Sequence, residues 1–185
     1  MKPTKQLHQK LIKECKQKKA KAQMQLYKTY CNAMFLVAYK YVKDRFLAED
    51  IMQEAFVKAF KNINKYKGEV SFGVWLKKIV INQSIDELKK NKILMSSINE
   101  EVLQVVEEEK WEVDDTVTAK MVVDCIQKQK EKYRLVMLLY LIEGYDHKEI
   151  SQILNITEVT SRTHLARGKK IVREYLKKTN YAEGY

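Results

Sequence analysis

The sequence predicts an all-α protein composed of two small helical domains joined by an acidic linker. Its 185 residues include only 5 Gly and 1 Pro, so residues that interrupt helices are rare. Lys, Glu, Leu, Ile and Ala are abundant, which favours long helices over strands. In several segments apolar residues also recur at i, i+3, i+4 and i+7, the spacing of an amphipathic helix.

Charge is distributed in three blocks. The formal net charge is +11, with +13 in residues 1–94, −7 in residues 95–117 and +5 in residues 118–185. Basic blocks attract polyanions, of which nucleic acid is the commonest, although lysines that only keep a protein in solution explain the charge equally well. We therefore expect a basic N-terminal arm at 1–21, domains at 22–94 and 118–185, and a linker at 95–117.

The first domain contains three segments with a helical pattern. A first helix is predicted over residues 23–41, with a turn at 43–45. Residues 48–62 form the clearest helix, with a buried stripe of Ala48, Ile51, Met52, Ala55, Phe56, Ala59 and Phe60. Asp50, Gln53, Glu54 and Val57 fall on the opposite arc, so they should form one exposed patch. Although paired carboxylates can act in acid–base chemistry, no neighbouring histidine or pocket motif supports that role here.

A loop and a further helix complete this domain. Gly68 permits a backbone conformation that other residues avoid, and Ser71 is a natural N-cap for a helix that runs to about Lys90. Aromatic rings next to lysines suit single-stranded nucleic acid, because rings stack on bases and lysines bind phosphates. Tyr66 and Lys67 fit that description, whereas Phe72 and Trp75 begin a new apolar stripe and should be core.

The second domain carries a helix-turn-helix pattern. Core candidates are Val122, Ile126, Leu135, Leu138, Leu139 and Ile142, and Gly144 marks a helix end. A short helix at 147–154, a turn at 155–157 and a long helix at 158–176 follow. In this motif the second helix enters the major groove. A plain helical hairpin is the alternative, but the basic residues after the turn favour DNA.

A helical wheel assigns roles to the last helix. Val159 and Ala166 are placed inward, and Arg167 lies near the border of the exposed face. Thr160, Ser161 and His164 are placed outward, where hydroxyl and imidazole groups can hydrogen-bond to base edges. Arg162, Lys169 and Lys170 are placed to reach phosphates.

Motifs for catalysis, metals and membranes are missing from the sequence. Cys15, Cys31 and Cys125 are scattered, and the three histidines lack metal-ligand spacing. There is no glycine loop for phosphates and no nucleophile elbow. We expect no catalytic residue, metal, cofactor or small-molecule substrate. Because the N-terminal segment does not resemble a signal peptide and no apolar stretch approaches membrane length, we expect a soluble, cytoplasmic protein.

Two stretches together resemble a known family. They are AEDIMQEAF at 48–56, followed by Phe72 and Trp75, and GYDHKEIS at 144–151, followed by VTSR at 159–162. In this order they resemble the extracytoplasmic-function (ECF) class of bacterial sigma factors, the promoter-recognition subunits of RNA polymerase. The resemblance covers about residues 26–176. Thr163 and Lys170 depart from it, since they stand where apolar residues would continue the stripe of the last helix.

The resemblance implies roles for residues of both domains. Asp50, Gln53 and Glu54 match family positions that dock on a coiled coil of the polymerase clamp. The segment with Lys65, Tyr66 and Lys67, together with Lys78 and Asn82 on the next helix, corresponds to the part that opens the duplex and reads the −10 element. The second domain would read the −35 element, and the linker would thread through the polymerase.

The implied partners are core RNA polymerase and promoter DNA, and an anti-sigma factor is left open. Two other functions also stay open at this point. A free-standing helix-turn-helix regulator would use only the second domain and would not need the patch at Asp50. A helical scaffold protein would have no salt-dependent affinity for DNA.

Overall fold

The structure is a computed structural model that describes residues 8–90 and 118–182, with side chains described as far as Lys177. The chain divides into two compact units, Met1–Lys90 and Asn91–Tyr185. All regular elements in the described ranges are helical, which confirms the all-α prediction. The predicted acidic linker, 95–117, lies outside the described residues.

The first unit contains four α-helices in its described part. They are α1 (Gln9–Lys16), α2 (Ala20–Val42), α3 (Arg45–Lys61) and α4 (Phe72–Lys90), and a 3₁₀ turn (Ile63–Lys65) follows α3. Helices α2, α3 and α4 pack against one another, and α1 packs against α2 and the 3₁₀ turn. The predicted stripe of α3 is buried except for Phe60, which is partly buried against the same core.

Part of the predicted basic arm at 1–21 forms helix α1. Ile12 and Cys15 of α1 are buried in the core of the first unit. The predicted boundary also falls inside α2, which begins at Ala20 and buries Ala22. The two apolar residues lie three apart and so share one face of a short helix, which offsets the lysine-rich composition around them.

The ends of these helices follow from local chemistry. Lys43 adopts a left-handed conformation (φ 59°) after α2, and the Asp44 carboxylate accepts a hydrogen bond from the Leu47 amide at 2.8 Å. Asp44 therefore caps α3, and the predicted turn at 43–45 is confirmed. Ser71 Oγ accepts from the Val74 amide at 3.4 Å, in agreement with its predicted role as the N-cap of α4.

The second unit is built around its last helix. It contains α5 (Ala119–Gln127), α6 (Glu131–Met137), a π turn (Leu138–Ile142), α7 (His147–Leu154) and α8 (Glu158–Ala182). Helix α8 packs against α5, α6 and α7. Four of the six predicted core residues are buried: Ile126, Leu135, Leu138 and Leu139. Ile142 is exposed and Val122 is half-buried, because they lie at the last residue of the π turn and in the first turns of α5.

The predicted helix-turn-helix is confirmed. Gly144 (φ 77°) precedes α7, and Asp146 caps it through a capping box with Glu149. Asn155 (φ 56°) ends α7 in the left-handed conformation. The Thr157 hydroxyl accepts from the Thr160 amide at 3.0 Å and so caps the start of α8. Helix α8 then continues to Ala182, six residues beyond its predicted end.

Candidate functional site

An acidic patch lies on the outer face of α3. Asp50, Gln53 and Glu54 are all exposed, as the helical spacing predicted, while the apolar stripe on the other side of α3 faces the core. Because the two faces are separate, charge changes at Asp50 leave the core packing intact. The patch is therefore available to a basic partner surface.

Glu54 is held in place by a neighbouring helix. Gln83 of α4 donates from Nε2 to Glu54 Oε2 at 2.7 Å, and Lys58 Nζ donates to Gln83 Oε1 at 3.3 Å. Asp50 and Gln53 make no hydrogen bond or ion pair within the described part of the chain. The patch thus combines one carboxylate in a fixed orientation with two polar side chains that can pair with a partner.

Two exposed apolar residues extend this face. The Phe46 side chain is 81% exposed and lies four residues before Asp50, so it projects from the same side of α3. Val57 is also exposed and lies four residues after Gln53. Sequence analysis missed Phe46, although an aromatic residue directly after a polar turn and outside the apolar stripe was a usable signal. Together these residues form a docking face, defined here as Phe46, Asp50, Gln53, Glu54 and Val57.

Tyr66 is buried, so its predicted contact with an unpaired strand is wrong for this conformation. Only 4% of Tyr66 is exposed, and its hydroxyl donates to the Val70 carbonyl at 2.7 Å. Its ring packs edge-on against Phe72 at 5.7 Å and lies 5.4 Å from Trp75. Burial, followed by the nearby Tyr30, raises the pKa of the Tyr66 phenol. Tyr66 therefore closes the loop from inside and cannot stack on a base.

Helix α1 also holds the loop between α3 and α4 in place. Lys16 Nζ donates to the Tyr66 backbone carbonyl at 2.9 Å, which satisfies the carbonyl just after the 3₁₀ turn. Lys65 and Lys67, on either side of Tyr66 in the chain, are exposed. The loop consequently presents two lysines on a rigid support.

Two further predicted residues, Lys78 and Asn82, are exposed on α4. They are four residues apart and therefore share one face of the helix. A cation and an amide at this spacing can bind a phosphate and a base edge of the same strand.

The orientation of α8 corrects the predicted helical wheel. Its buried stripe is Ser161, Leu165, Gly168, Val172 and Leu176, at spacings of 4, 3, 4 and 4 residues. Ser161 is 0% exposed although it was placed outward, and Val159 is 53% exposed although it was placed inward. Both placements were wrong because the wheel was anchored on Val159 and Ala166. Thr163 is also buried, and its hydroxyl donates to the Val159 carbonyl at 2.9 Å.

Two more residues assigned to DNA lie against the rest of the second unit. His164 is half-buried, with its ring edge-on to Tyr133 at a centroid distance of 5.5 Å. Lys169 Nζ lies 5.8 Å from the centre of the Tyr140 ring, within the range of a cation–π contact. The outward placement of His164 was therefore wrong, because its imidazole packs on a ring of α6.

The remaining predicted residues surround the exposed face of α8. Arg162 and Lys170 are exposed, and Arg167 and Thr160 are half-buried. The Thr160 hydroxyl lies 2.8 Å from that of Thr157 at the helix start. Arg162 pairs with Glu158 at 3.5 Å, an exposed i,i+4 pair worth only about 0.3–0.5 kcal/mol, so it can exchange that partner for a phosphate.

The exposed face of α8 includes residues that sequence analysis did not assign to DNA. Val159, Arg162 and Lys170 on this arc are exposed, and Ala166 and Arg173 beside them are half-buried. A wheel anchored on Leu165, Val172 and Leu176 instead of Val159 would have found it, since those three residues are strongly apolar and helically spaced. This face is called the α8 outer face below.

A buried hydrogen bond joins the two helices of the motif. His147 Nδ1, at the start of α7, lies 2.9 Å from Ser161 Oγ in α8. The His147 ring also stacks on Tyr140 at a centroid distance of 4.7 Å. Nearby, Gly168 allows α8 to approach α6 closely, since a Cβ at this position would lie 2.5 Å from Met137 Sδ.

The described ranges contain no cluster of His, Cys, Asp and Glu suited to a metal ion. Within those same ranges, none of the helices has the length and apolar character needed to cross a membrane.

Comparison with known proteins gives similarities over both units. Residues 26–93 match the family model of Sigma-70 region 2, and residues 119–172 match that of Sigma-70, region 4. The chain is 29% identical over 184 residues to the ECF RNA polymerase sigma factor SigW of Bacillus subtilis (strain 168), covering 91% of this chain and 96% of that protein. It is 27% identical over 153 residues to SigM of the same organism, covering 79% and 90%.

Two solved structures are also similar. One is the sigma factor RpoE in complex with the anti-sigma factor NepR from Bartonella quintana, at 16% identity and a TM-score of 0.48, covering 83% of this chain and 96% of that chain. The other is CnrH in complex with the cytosolic domain of CnrY, at 16% identity and a TM-score of 0.49, covering 91% and 96%.

Proposed function

The chain belongs to the ECF class of the sigma-70 family and is a sigma factor that directs transcription initiation, and on that premise we propose how its two units divide the work. The first unit binds core RNA polymerase and the −10 element, and the second binds the −35 element. The chain gives the polymerase its promoter specificity and catalyses no reaction of its own. It acts where the polymerase acts, in the cytoplasm.

The docking face of α3 carries the assignment to polymerase. It combines two carboxylates, an amide and two apolar side chains on one exposed helical face, and Glu54 is oriented by Gln83. Such a face suits a helical partner with basic and apolar residues, because charge complementarity sets orientation while apolar burial supplies affinity. The single observation that carries the proposal is that Asp50 and Gln53 are exposed without a partner in the described part of the chain.

Charge reversal tests this contact. Replacing Asp50 and Glu54 by Lys should weaken binding to core polymerase by about tenfold or more, since a desolvated charge contact commonly contributes several kcal/mol. Thermal unfolding should change little, because the core stripe of α3 is on the other side. Asp124→Lys combined with Glu174→Lys, both at exposed positions of the second unit, is the control with the same change in net charge. Wild-type affinity of the double variant for core polymerase would remove the assignment.

The loop after α3 and the outer side of α4 are proposed to hold the unpaired strand. Lys65, Lys67 and Lys78 supply cations and Asn82 supplies an amide, while Tyr66 supports the loop from inside. Flipping or unpairing a base costs a few kcal/mol, which contacts to the strand help to offset. Rigid support helps because a preordered loop loses less conformational entropy on binding.

The rate of open-complex formation tests this assignment. Replacing Lys65 and Lys67 by Ala should slow opening of a duplex promoter while core binding stays unchanged. The defect should shrink on a template that is already mismatched across the melted region. Lys28→Ala, an exposed lysine of α2, controls for the general loss of positive charge. Equal defects on both templates would argue against a role in melting.

The α8 outer face is proposed to enter the major groove of the −35 element. Arg162, Lys170 and Arg173 supply cations around two small apolar residues, Val159 and Ala166. Small apolar side chains permit close approach to base edges and can contact thymine methyl groups. In this assignment Arg162 and Lys170 bind phosphates, as predicted, while Ser161 and His164 take no direct part.

Salt dependence separates the two kinds of contact. Replacing Lys170 by Ala should weaken the binding of the second unit to DNA of every sequence. It should also reduce the slope of log K, where K is the DNA-binding constant, against log salt concentration by about 0.9. Replacing Ala166 by a larger residue should change which upstream element is preferred, with little effect on the slope. An unchanged slope for the Lys170 variant would place that side chain away from the DNA.

A free-standing regulator is not favoured as the function. Such a protein would use only the helix-turn-helix, whereas residues 26–93, outside that unit, match Sigma-70 region 2. The docking face also lies in the first unit and would have no purpose in that case.

A further inference from the structure

The buried pair His147 and Ser161 is the feature that the proposed function leaves unexplained. Ser161 is 0% exposed and His147 is 6% exposed, and they lie on different helices, 14 residues apart in the chain. Buried polar groups reduce stability unless they are paired. Two apolar residues would fill the same space without that requirement, so the pair provides something other than burial.

The geometry of the pair fixes α8 relative to α7. Its 2.9 Å hydrogen bond is directional, so it adds a defined orientation to the apolar packing of Leu165, Val172 and Leu176. His147 is itself fixed at the first residue of α7, directly after the Asp146 capping box. Its ring is held by stacking on Tyr140. The donor and acceptor are therefore both set in place by rigid elements.

Ser161 lies one turn from the start of α8, next to residues of the α8 outer face. Arg162 follows it directly in the chain, and Ala166 lies five residues further on. A rotation of one residue position is about 100° and would bring Ser161 out and Arg162 toward α7. The hydrogen bond opposes that rotation, because the rotation would separate His147 Nδ1 from Ser161 Oγ and lose their buried contact.

We propose that His147 and Ser161 are positioning residues which set the rotation of the recognition helix α8 and so determine which of its side chains meet the −35 element. This inference rests on the proposed function of the second unit. It assigns no direct DNA contact to either residue. It also accounts for two polar side chains at positions that packing alone would fill with apolar residues.

A double-mutant cycle on the full chain separates positioning from simple stabilisation. The variants are His147→Phe, Ser161→Ala and the two combined. Each single variant removes the buried His147–Ser161 hydrogen bond but keeps one of its polar partners, so it should lower the thermal stability of the second unit. The combined variant should regain most of that stability, since both partners are then apolar. The readout for positioning is the ratio of transcription by holoenzyme from a promoter with its preferred −35 element to one with that element substituted.

Positioning predicts that stability and promoter discrimination respond differently. In the combined variant, the ratio of transcription from the preferred promoter to that from the substituted promoter should be about fivefold or more below the wild-type ratio. This effect is comparable to the smaller effects of a single mismatched base pair. Thr163→Val is the matched control, because Thr163 is buried in the same helix but its hydroxyl bonds only within α8. This control should keep the wild-type ratio. A combined variant with the wild-type ratio would overturn the proposal, because the pair would then be only a satisfied buried contact.

Hydrogen exchange of the free chain tests the tie between the helices without polymerase. Amides in the first turns of α8 should exchange several-fold faster in the combined variant than in Thr163→Val, even where thermal stabilities match. Equal exchange rates would overturn the proposal independently of any promoter. If wild-type holoenzyme showed no dependence on a −35 element, the proposed function of the second unit would fail together with the promoter part of this inference. The hydrogen-exchange rates would still show whether the His147–Ser161 pair fixes α8 relative to α7.

Discussion

Gly168 is a position where one added methyl group should disturb the packing of the second unit. In Gly168→Ala the new Cβ would lie 2.5 Å from Met137 Sδ, 3.1 Å from Met137 Cγ and 3.4 Å from Tyr133 Cβ. Favourable contacts begin at about 3.5 Å, so Met137 must move by about 1 Å. Met137 is fully buried, and overpacking of this kind costs about 1–3 kcal/mol. Replacing a helical glycine by alanine contributes about 0.5–1 kcal/mol in the opposite direction.

The difference between these two contributions predicts that Gly168→Ala lowers the free energy of unfolding of the second unit by about 1 kcal/mol. A loss of that size lowers the Tm of a domain of this length by about 4–8 °C. Calorimetry on the full chain can measure it, with amide exchange used to assign the affected transition to the second unit. Adding Met137→Ala to the variant should relieve the crowding, so the two substitutions should not be additive.

Gly73→Ala provides a comparison in the first unit. Its Cβ would lie 3.0 Å from Tyr30 Cε1, but Tyr30 is only partly buried, so its ring can shift at little cost. The stability gained by replacing a helical glycine with alanine should then exceed the cost of that shift. We therefore expect Gly73→Ala to be neutral or slightly stabilising. A stabilising Gly168→Ala would refute the argument that α8 approaches α6 closely at this point.

Three further outcomes follow from local contacts. Tyr66→Phe removes the hydrogen bond to the Val70 carbonyl and should cost about 1 kcal/mol, measured by denaturant unfolding, with slower opening of promoters. Asp146→Ala removes the capping box of α7 and should cost about 0.5–2 kcal/mol, while an unchanged midpoint would contradict the cap. Burial raises the pKa of the Cys15 thiol, so at pH 8 a thiol reagent should modify half-exposed Cys31 first, as peptide mass spectrometry can show.

Helix positions were predictable because they depend on local signals. The stripe of α3, the turn at 43–45 and the Ser71 cap all follow from spacing and side-chain chemistry within one or two turns of helix. The exposed patch at Asp50 followed for the same reason, since a strong apolar stripe determines the opposite face. The helix-turn-helix was likewise marked by Gly144 and by the turn at 155–157.

The rotation of α8 depends on contacts that local spacing does not reveal. Ser161 is polar and Gly168 has no side chain, yet both are buried, one by a hydrogen bond with α7 and the other by close approach of α6. A hydrophobicity pattern predicts that residues such as Ser161 and Gly168 are exposed. Val159 has the opposite character, because it is apolar and exposed.

Aromatic residues near lysines were ambiguous in the same way. Tyr66 has the composition of a base-stacking residue, but its partners Phe72 and Trp75 lie six and nine residues further along the chain. Only their packing shows that the ring points inward. The packing of α1 was not predictable from local spacing, because Ile12 and Cys15 lie among many lysines and their burial against α2 is a tertiary effect.

Transcription in vitro is the most direct test that this chain acts as a sigma factor. Core RNA polymerase of Bacillus subtilis, the organism of the relatives named above, would be combined with this chain on a library of upstream DNA fragments, and transcript 5′ ends would be mapped. We expect the wild-type chain to produce new start sites that are preceded by shared −10 and −35 sequences. These start sites should disappear when Asp50 and Glu54 are replaced by Lys. Start sites identical to those of core polymerase alone, or start sites that persist at full strength in the Lys variant, would contradict that expectation.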